Sequence, residues 1–318
     1  MSNASPSSPT RRPDPEFPLP YQVTVFEVGP RDGLQMEPRT LATSAKVQLI
    51  DALSATGIRR IQVTSFVRPD AIPQLADAAE VMRQISRIPG IIYSALVPNA
   101  RGAERALASE AGALDIVVSA SDTHSLQNTR MTTAQAVEQG RLIARMAHEA
   151  GAPICFGIAT ALGCPFEGPT PHEVLESLVG MAVDEVGAEL VTIADTASMA
   201  GPRDVFLAMS RLRRRFSEAT FSVHLHNGRG FGLANALAAL EAGTDVLDSS
   251  VAGLGGCPSI PDAAGNVATE DLVAMLDSMG VETGVNLAAL TEVAGAAAAE
   301  VGHSSSALLQ SAAAHRTA

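Results

Sequence analysis

From Tyr21 onward, short apolar runs rich in β-branched residues alternate with Ala/Leu-rich stretches of helical period. The runs are Val23 to Val28, Arg60 to Phe66, Ile91 to Val97, Leu114 to Ala120, Pro153 to Thr160, Glu189 to Asp195, Phe221 to His226 and Val246 to Val251. Their starts recur roughly every thirty residues, the length of one βα unit. Eight such units predict an α/β fold, a closed (β/α)8 TIM barrel rather than an open sheet. Two of the intervening stretches carry helix punctuation. TSAKVQLIDALSATG offers Thr43 or Ser44 as N-cap, and both it and NALAALEAG have a glycine just past the end, Gly57 and Gly243.

The remaining chain is divided around that barrel. Residues 1–20, rich in Ser and Pro, are expected to be a disordered tail, 21–290 the barrel domain, and 291–318 a C-terminal helix and tail. AGLGGCPSIPDAAGN, which follows the eighth run, has the Gly/Pro composition of a mobile lid loop.

Composition narrows the function. Hydrophobic residues make up 46% of the chain but aromatics only 3%, without Trp, so a core of Ala, Val, Leu and Ile is expected and the composition argues against a broad stacking platform for bases or sugars. A net charge of −12 argues against nucleic acid or an anionic membrane as the main partner. One CoA-sized anion needs only a few Arg or Lys. Cys155, Cys164 and Cys257 lie far apart with no CxxC pair, which fits reduced thiols in the cytoplasm. No apolar run has membrane-span length, and the N-terminus lacks a secretory signal.

Barrels of this kind carry their active site at the C-terminal ends of the strands. Arg31 and Asp32 follow the first run in GPRDGLQ, His224 and His226 finish the seventh, and Cys257 and Asn266 lie in the loop after the eighth. On a strand, residues i and i+2 face the same side, so the two imidazoles share one space. One carboxylate, two imidazoles and one amide oxygen form a mixed O/N set for a divalent ion, and the absence of a thiolate favours Mg2+ or Mn2+ over structural zinc. Each residue also has an ordinary reading. Asp before Gly is common turn chemistry, a His pair is often structural, and Cys257 is small enough to pack as a hydrophobe. Their convergence on one face, required by the fold, favours the metal site.

Five separated motifs, FEVGPRDGLQ, TSFVRPDAIPQLAD, ALGCPFEG, HLHNGRGFGLAN and VAGLGGCPSIPDAAGNVATEDLV, closely resemble the 3-hydroxy-3-methylglutaryl-CoA lyase family, in order, over about Tyr21 to Leu290. The resemblance implies a metal held by Asp32, His224, His226 and Asn266, and a catalytic group of Arg31, His224 and Cys257. It also implies an acyl-CoA substrate, cleaved to acetyl-CoA and a 3-oxo acid by reverse Claisen chemistry. Metal binding at the substrate hydroxyl eases loss of its proton, with Asp32 or His224 as the base. Arg31 suits the developing enolate, and Cys257, on a closing loop, suits its protonation. Family barrels are often dimers, so a homodimer is expected.

The pattern breaks at strand two. The family has a glutamate in a stretch like IETTSFV, whereas IQVTSFV places Gln62 there. The amide keeps the shape and one acceptor but loses a charge that could orient Arg31 in the catalytic group. Either Gln62 impairs turnover, leaving a CoA-ester binder, or it sits in a polar barrel layer and is tolerated. Asn227 and Asp122 also depart from commoner family residues, which would fit a related ester such as citramalyl-CoA or a longer branched hydroxyglutaryl-CoA. A carboligase on the same barrel is disfavoured by the short C-terminal remainder and the GLGGCP cysteine.

Overall fold

The computed structural model describes residues 19–256, 264–302 and 307. Strands β1 (Thr24–Glu27), β2 (Arg60–Ser65), β3 (Ile92–Leu96), β4 (Ala113–Ser119), β5 (Ile154–Ala159), β6 (Leu190–Asp195), β7 (Phe221–Leu225) and β8 (Val246–Ser249) close in chain order into a parallel barrel. Every predicted run coincides with a strand to within a residue or two at its ends, seven of them enclosing it and the fourth starting one residue late, since β4 begins at Ala113. The last stops at Ser249 because the chain turns into a 3-10 segment, Val251–Gly253, where Ala252 has φ +59°.

Helices α1 (Thr43–Ala55), α2 (Ala78–Gln84), α3 (Ala100–Ala108), α4 (Asp122–Thr129), α5 (Thr133–Ala150), α6 (His172–Asp184), α7 (Pro202–Arg215) and α8 (Gly232–Glu241) connect the strands, and α9 (Thr269–Ser278) and α10 (Leu287–Val301) follow β8. The expected side-chain cap on α1 does not form. Its N-cap is Ala42, and Thr43 Oγ1 instead donates to Asp77 Oδ2 at 2.7 Å, beside the Lys46–Asp77 ion pair. The predicted glycine after α1 holds: Gly57 has φ +98°, and a Cβ there would meet the Gly284 carbonyl oxygen at 2.3 Å. The division drawn between residues 290 and 291 falls inside α10, whose Leu290 and Ala294 are fully buried in the barrel's own core. Among the described residues no helix is long and apolar enough to cross a membrane.

Two apolar regions hold the barrel. Outward-facing strand residues such as Ile61, Leu114, Val191 and Val223 pack under the helices with Ile50, Leu53 and Ile143. Inside, Phe26, Val28, Cys155, Leu190 and Val246 form a separate cluster. One pleat further along, the inward positions become Gly157, Thr192 and Asp248, so the interior changes from apolar to polar toward the strand C-termini.

Candidate active site

Arg31 and Asp32 sit on a single π-helical turn, Gly29–Gly33, that begins as β1 ends. A buried carboxylate fixes that turn. Glu27 Oε1 accepts from the Gly29 and Val251 amides at 2.7 and 2.9 Å, and Oε2 accepts from Thr269 Oγ1 at 2.7 Å. One side chain thereby ties β1, the segment after β8 and α9 together. Burial pushes Glu27 up to about 7, against the opposing effect of those three donors.

Asp32, although followed by glycine, is a buried side chain of the site. Its Oδ1 accepts from Arg31 Nη1 at 2.6 Å and Gln35 Nε2 at 2.9 Å, while Oδ2 accepts from Asn266 Nδ2 at 2.8 Å. Burial alone would raise its pKa, but Arg31, His224, His226 and Asn266 outweigh it and hold the carboxyl below the ordinary range. His224 Nε2 lies 3.8 Å from Asp32 Oδ2 and 3.2 Å from His226 Nε2. Asp32, His224 and His226 thus offer three ligand atoms within 4.8 Å of one another.

The two imidazoles are held differently. His226 lies one residue beyond β7, in an isolated bridge to Asn266, and its Nδ1 pairs with the Ala264 carbonyl at 2.9 Å. That carbonyl can only accept, so Nδ1 carries the proton and Nε2 presents a lone pair. Burial and the neighbouring His224 lower its pKa to about 4, keeping it neutral. On His224, Nδ1 lies 3.5 Å from Asp248 Oδ2, its register neighbour on β8. Burial opposes the charged form of His224, but Asp248 and Asp32 prevail and its pKa is raised.

Asn266 completes the group. Its Nδ2 donates to both Asp32 Oδ2 and the Leu254 carbonyl, which leaves Oδ1 buried without a partner among the described residues. An orphaned acceptor of this kind, beside a carboxylate and two imidazole nitrogens, suits a hard or borderline divalent ion. Gly255 makes the approach possible: it has φ +116°, and a Cβ there would meet Asn266 Nδ2 at 2.4 Å.

Gln62 is inside the polar barrel layer and also bonded to the site. Its Oε1 accepts from Arg31 Nε, and its Nε2 donates to Asp115 Oδ2 at 2.6 Å. Arg31 is therefore gripped on two sides, by Gln62 and by Asp32, where it borders the cleft. The cleft is a cavity of about 1090 Å³ whose lining includes Arg31, Gln62, His124, His224, His226 and Asp248. Cys257 and the centre of the expected lid lie outside the described residues.

Sequence reasoning missed Asp115 and Asp248, two buried carboxylates on β4 and β8. The available signal was an acid inside an otherwise apolar run, in LDIVVSA and VLDSSV. Asn227 and Asp122, singled out as departures, serve local structure. Asn227 Oδ1 accepts from the Gly232 amide at the start of α8, and Asp122 Oδ1 accepts from the Thr133 amide at the start of α5.

Known proteins share this architecture. The family model described as HMGL-like matches residues 22–296. Human mitochondrial hydroxymethylglutaryl-CoA lyase is 41% identical over 277 residues, covering 86% of this chain and 84% of that protein. The crystal structure of a Bacillus subtilis HMG-CoA lyase superposes with a TM-score of 0.90 at 38% identity, covering 93% of this chain and 99% of that one. An HMG-CoA lyase from Acinetobacter baumannii, solved with coenzyme A and 3-methylmalate, gives 0.88 at 42% identity, covering 92% of this chain and 95% of that one. With that match running nearly end to end through the barrel and its polar strand ends, the chain belongs to the HMGL-like family.

Proposed function

We propose that this chain is a divalent-metal-dependent carbon–carbon lyase that cleaves 3-hydroxy-3-methylglutaryl-CoA to acetyl-CoA and acetoacetate. The observation that carries this reading is the gathering of Asp32, His224 and His226 at the strand ends, beside a fixed arginine, in a chain that matches HMG-CoA lyases over most of its length. Asp32, His224, His226 and Asn266 would hold the ion. Mg2+ or Mn2+ suits this oxygen-and-imidazole set, and when bound supplies Lewis-acid polarisation of the substrate hydroxyl and carboxylate.

The chain's own groups account for the remaining steps. The hydroxyl proton passes to the Asp32–His224 pair, whose facing atoms are 3.8 Å apart. Asp248, 3.5 Å from His224 Nδ1 behind the ring, would keep that imidazole's proton on Nδ1 and leave Nε2 to hold the ion. The bond between C2 and C3 then breaks, C3 becomes the ketone of acetoacetate, and the electron pair moves into the thioester enolate. Arg31, pinned by Gln62 and Asp32, presents its guanidinium to that oxyanion without reorganising. Cys257, on the proposed lid, returns a proton to C2. The CoA chain enters across the open C-terminal face of the barrel. The buried free thiols of Cys155 and Cys164 suit a reducing compartment such as the cytoplasm.

Acetyl-CoA release should be compared for HMG-CoA and citramalyl-CoA with Mn2+ or Mg2+ present. The expected result is a kcat/KM at least about tenfold higher for HMG-CoA. Preference for citramalyl-CoA would reassign the substrate, and no release from either ester would overturn the lyase reading.

A further inference from the structure

The amide of Gln62 can stand only one way round. Its neighbours are Arg31 Nε, which can only donate, and Asp115 Oδ2, which accepts at 2.6 Å from Gln62 Nε2 and at 2.6 Å from Ser94 Oγ. Rotating the amide would set donor against donor at Arg31 and oxygen against oxygen at Asp115. Gln62, Ser94 and Asp115 are all buried, so water cannot compensate such a mismatch. Burial raises the pKa of Asp115, opposed by Arg60, Ser94, Gln62 and Arg31. In either protonation state Oδ2 stays an acceptor while Oδ1, which carries no bond among the described residues, can hold the proton, so the polarity of the chain of bonds is unchanged.

From this geometry we infer that Asp115 is a positioning residue for Arg31, acting through Gln62, so that a carboxylate on β4 orients the arginine after β1. The relay runs from Ser94 and Asp115 to Gln62, on to Arg31 Nε, and from Arg31 Nη1 to the site carboxylate Asp32 at 2.6 Å. Gln62 is thus an orienting residue in its own right, and the Gln62→Glu substitution introduces a defect. The new carboxylate would face that of Asp115, and the two could bond only by taking up an extra proton between them, which replaces the neutral amide donor of Gln62.

The relay predicts a reciprocal exchange. In the Gln62→Glu/Asp115→Asn double variant, the Asn Nδ2 has two hydrogens, one for the new carboxylate and one for Ser94 Oγ, while the other carboxylate oxygen accepts from Arg31 Nε. Every bond survives, with donor and acceptor reversed along the Gln62–Asp115–Ser94 segment. The inference rests on the lyase reading for its kinetic arm, and a second arm reads Mn2+ affinity alone. Wild type, Gln62→Glu, Asp115→Asn and the double variant are compared for kcat and KM on HMG-CoA, for Mn2+ Kd, and for unfolding midpoint.

Each single substitution is expected to lower kcat at least about thirtyfold with KM within about threefold, because Arg31 acts on the transition state. Each should also weaken Mn2+ binding about tenfold through Asp32, and the double variant should recover both to within about fivefold of wild type. Singles that match wild type, or a double no better than the singles, overturn the relay. If a single fails to fold, Ser94→Ala removes one donor from Asp115 Oδ2 and should lower kcat in a protein that is less stable but still folded at the assay temperature; unchanged kcat there also overturns it. A wild type that binds Mn2+ but cleaves no ester refutes the lyase reading, and the Mn2+ arm then decides the relay by itself.

Discussion

The Nε2 atoms of His224 and His226 lie 3.2 Å apart, the first residue inside strand β7 and the second just past its end. Two imidazole nitrogens at that separation, with Asp32 Oδ2 3.8 Å from the first, converge on one point. His226 is neutral and its lone pair is aimed by the Ala264 carbonyl. Replacing His226 by Ala should abolish Mn2+ binding and leave the unfolding midpoint of the metal-free protein within a few degrees. A titration showing wild-type affinity in this variant would remove His226 from the site.

Asp248 acts on the same site from behind. A carboxylate on the far nitrogen of a ligating imidazole fixes its tautomer and raises its basicity, and losing it typically costs ten- to a hundredfold in affinity. Asp248→Asn should therefore weaken Mn2+ binding by about that factor while binding remains measurable. An unchanged Kd would mean that the 3.5 Å approach to His224 Nδ1 has no effect on the site.

Gly255 is a tightly constrained backbone position at the site. Gly255→Ala must place a methyl group 2.4 Å from Asn266 Nδ2 at φ +116°. The expected outcome is a loss of about 1–3 kcal/mol in stability, from strain, together with weaker metal binding, from displacement of Asn266. Chemical denaturation and Mn2+ titration measure the two effects separately. Stability lost with metal affinity intact would show that the loop yields instead of Asn266.

The barrel was legible because period-two runs and their spacing survive any tertiary detail, and the strand-end rule then located Arg31, Asp32, His224, His226 and Asn266 on one face. What the sequence did not disclose were contacts between residues distant in the chain. Asp115 and Asp248 look like isolated acids in apolar strands until barrel closure sets them beside Gln62 and His224. The same limit applies to Thr43, a sound N-cap by local rules that is drawn to Asp77 by a neighbouring helix connection. Gln62 read as a missing charge because its partner lies on another strand.

Burial raises both Glu27 and Glu270 from 4.5 to about 7. Between those pH values the folded chain keeps protons that the unfolded chain has released. Each group's stabilising contribution is therefore full below pH 4.5 and declines as pH rises to about 7, by on the order of 3 kcal/mol for Glu27. Glu27→Gln mimics the protonated acid, with its oxygen accepting from Gly29 and Val251 and its nitrogen donating to Thr269. Relative to wild type it should gain stability as pH rises from about 5 to about 8. A parallel pH–stability curve for the two proteins would contradict the raised pKa.

The most direct test of the account uses protein stripped of metal with a chelator, then titrated with Mn2+ in the presence of HMG-CoA, with acetyl-CoA and acetoacetate both quantified. Retro-Claisen cleavage at a single site predicts that the stripped protein is inactive, that activity returns in proportion to bound Mn2+ up to one ion per chain, and that the two products appear in equal amounts. Cleavage undiminished in the stripped protein, or full Mn2+ occupancy with no acetoacetate formed, would contradict it.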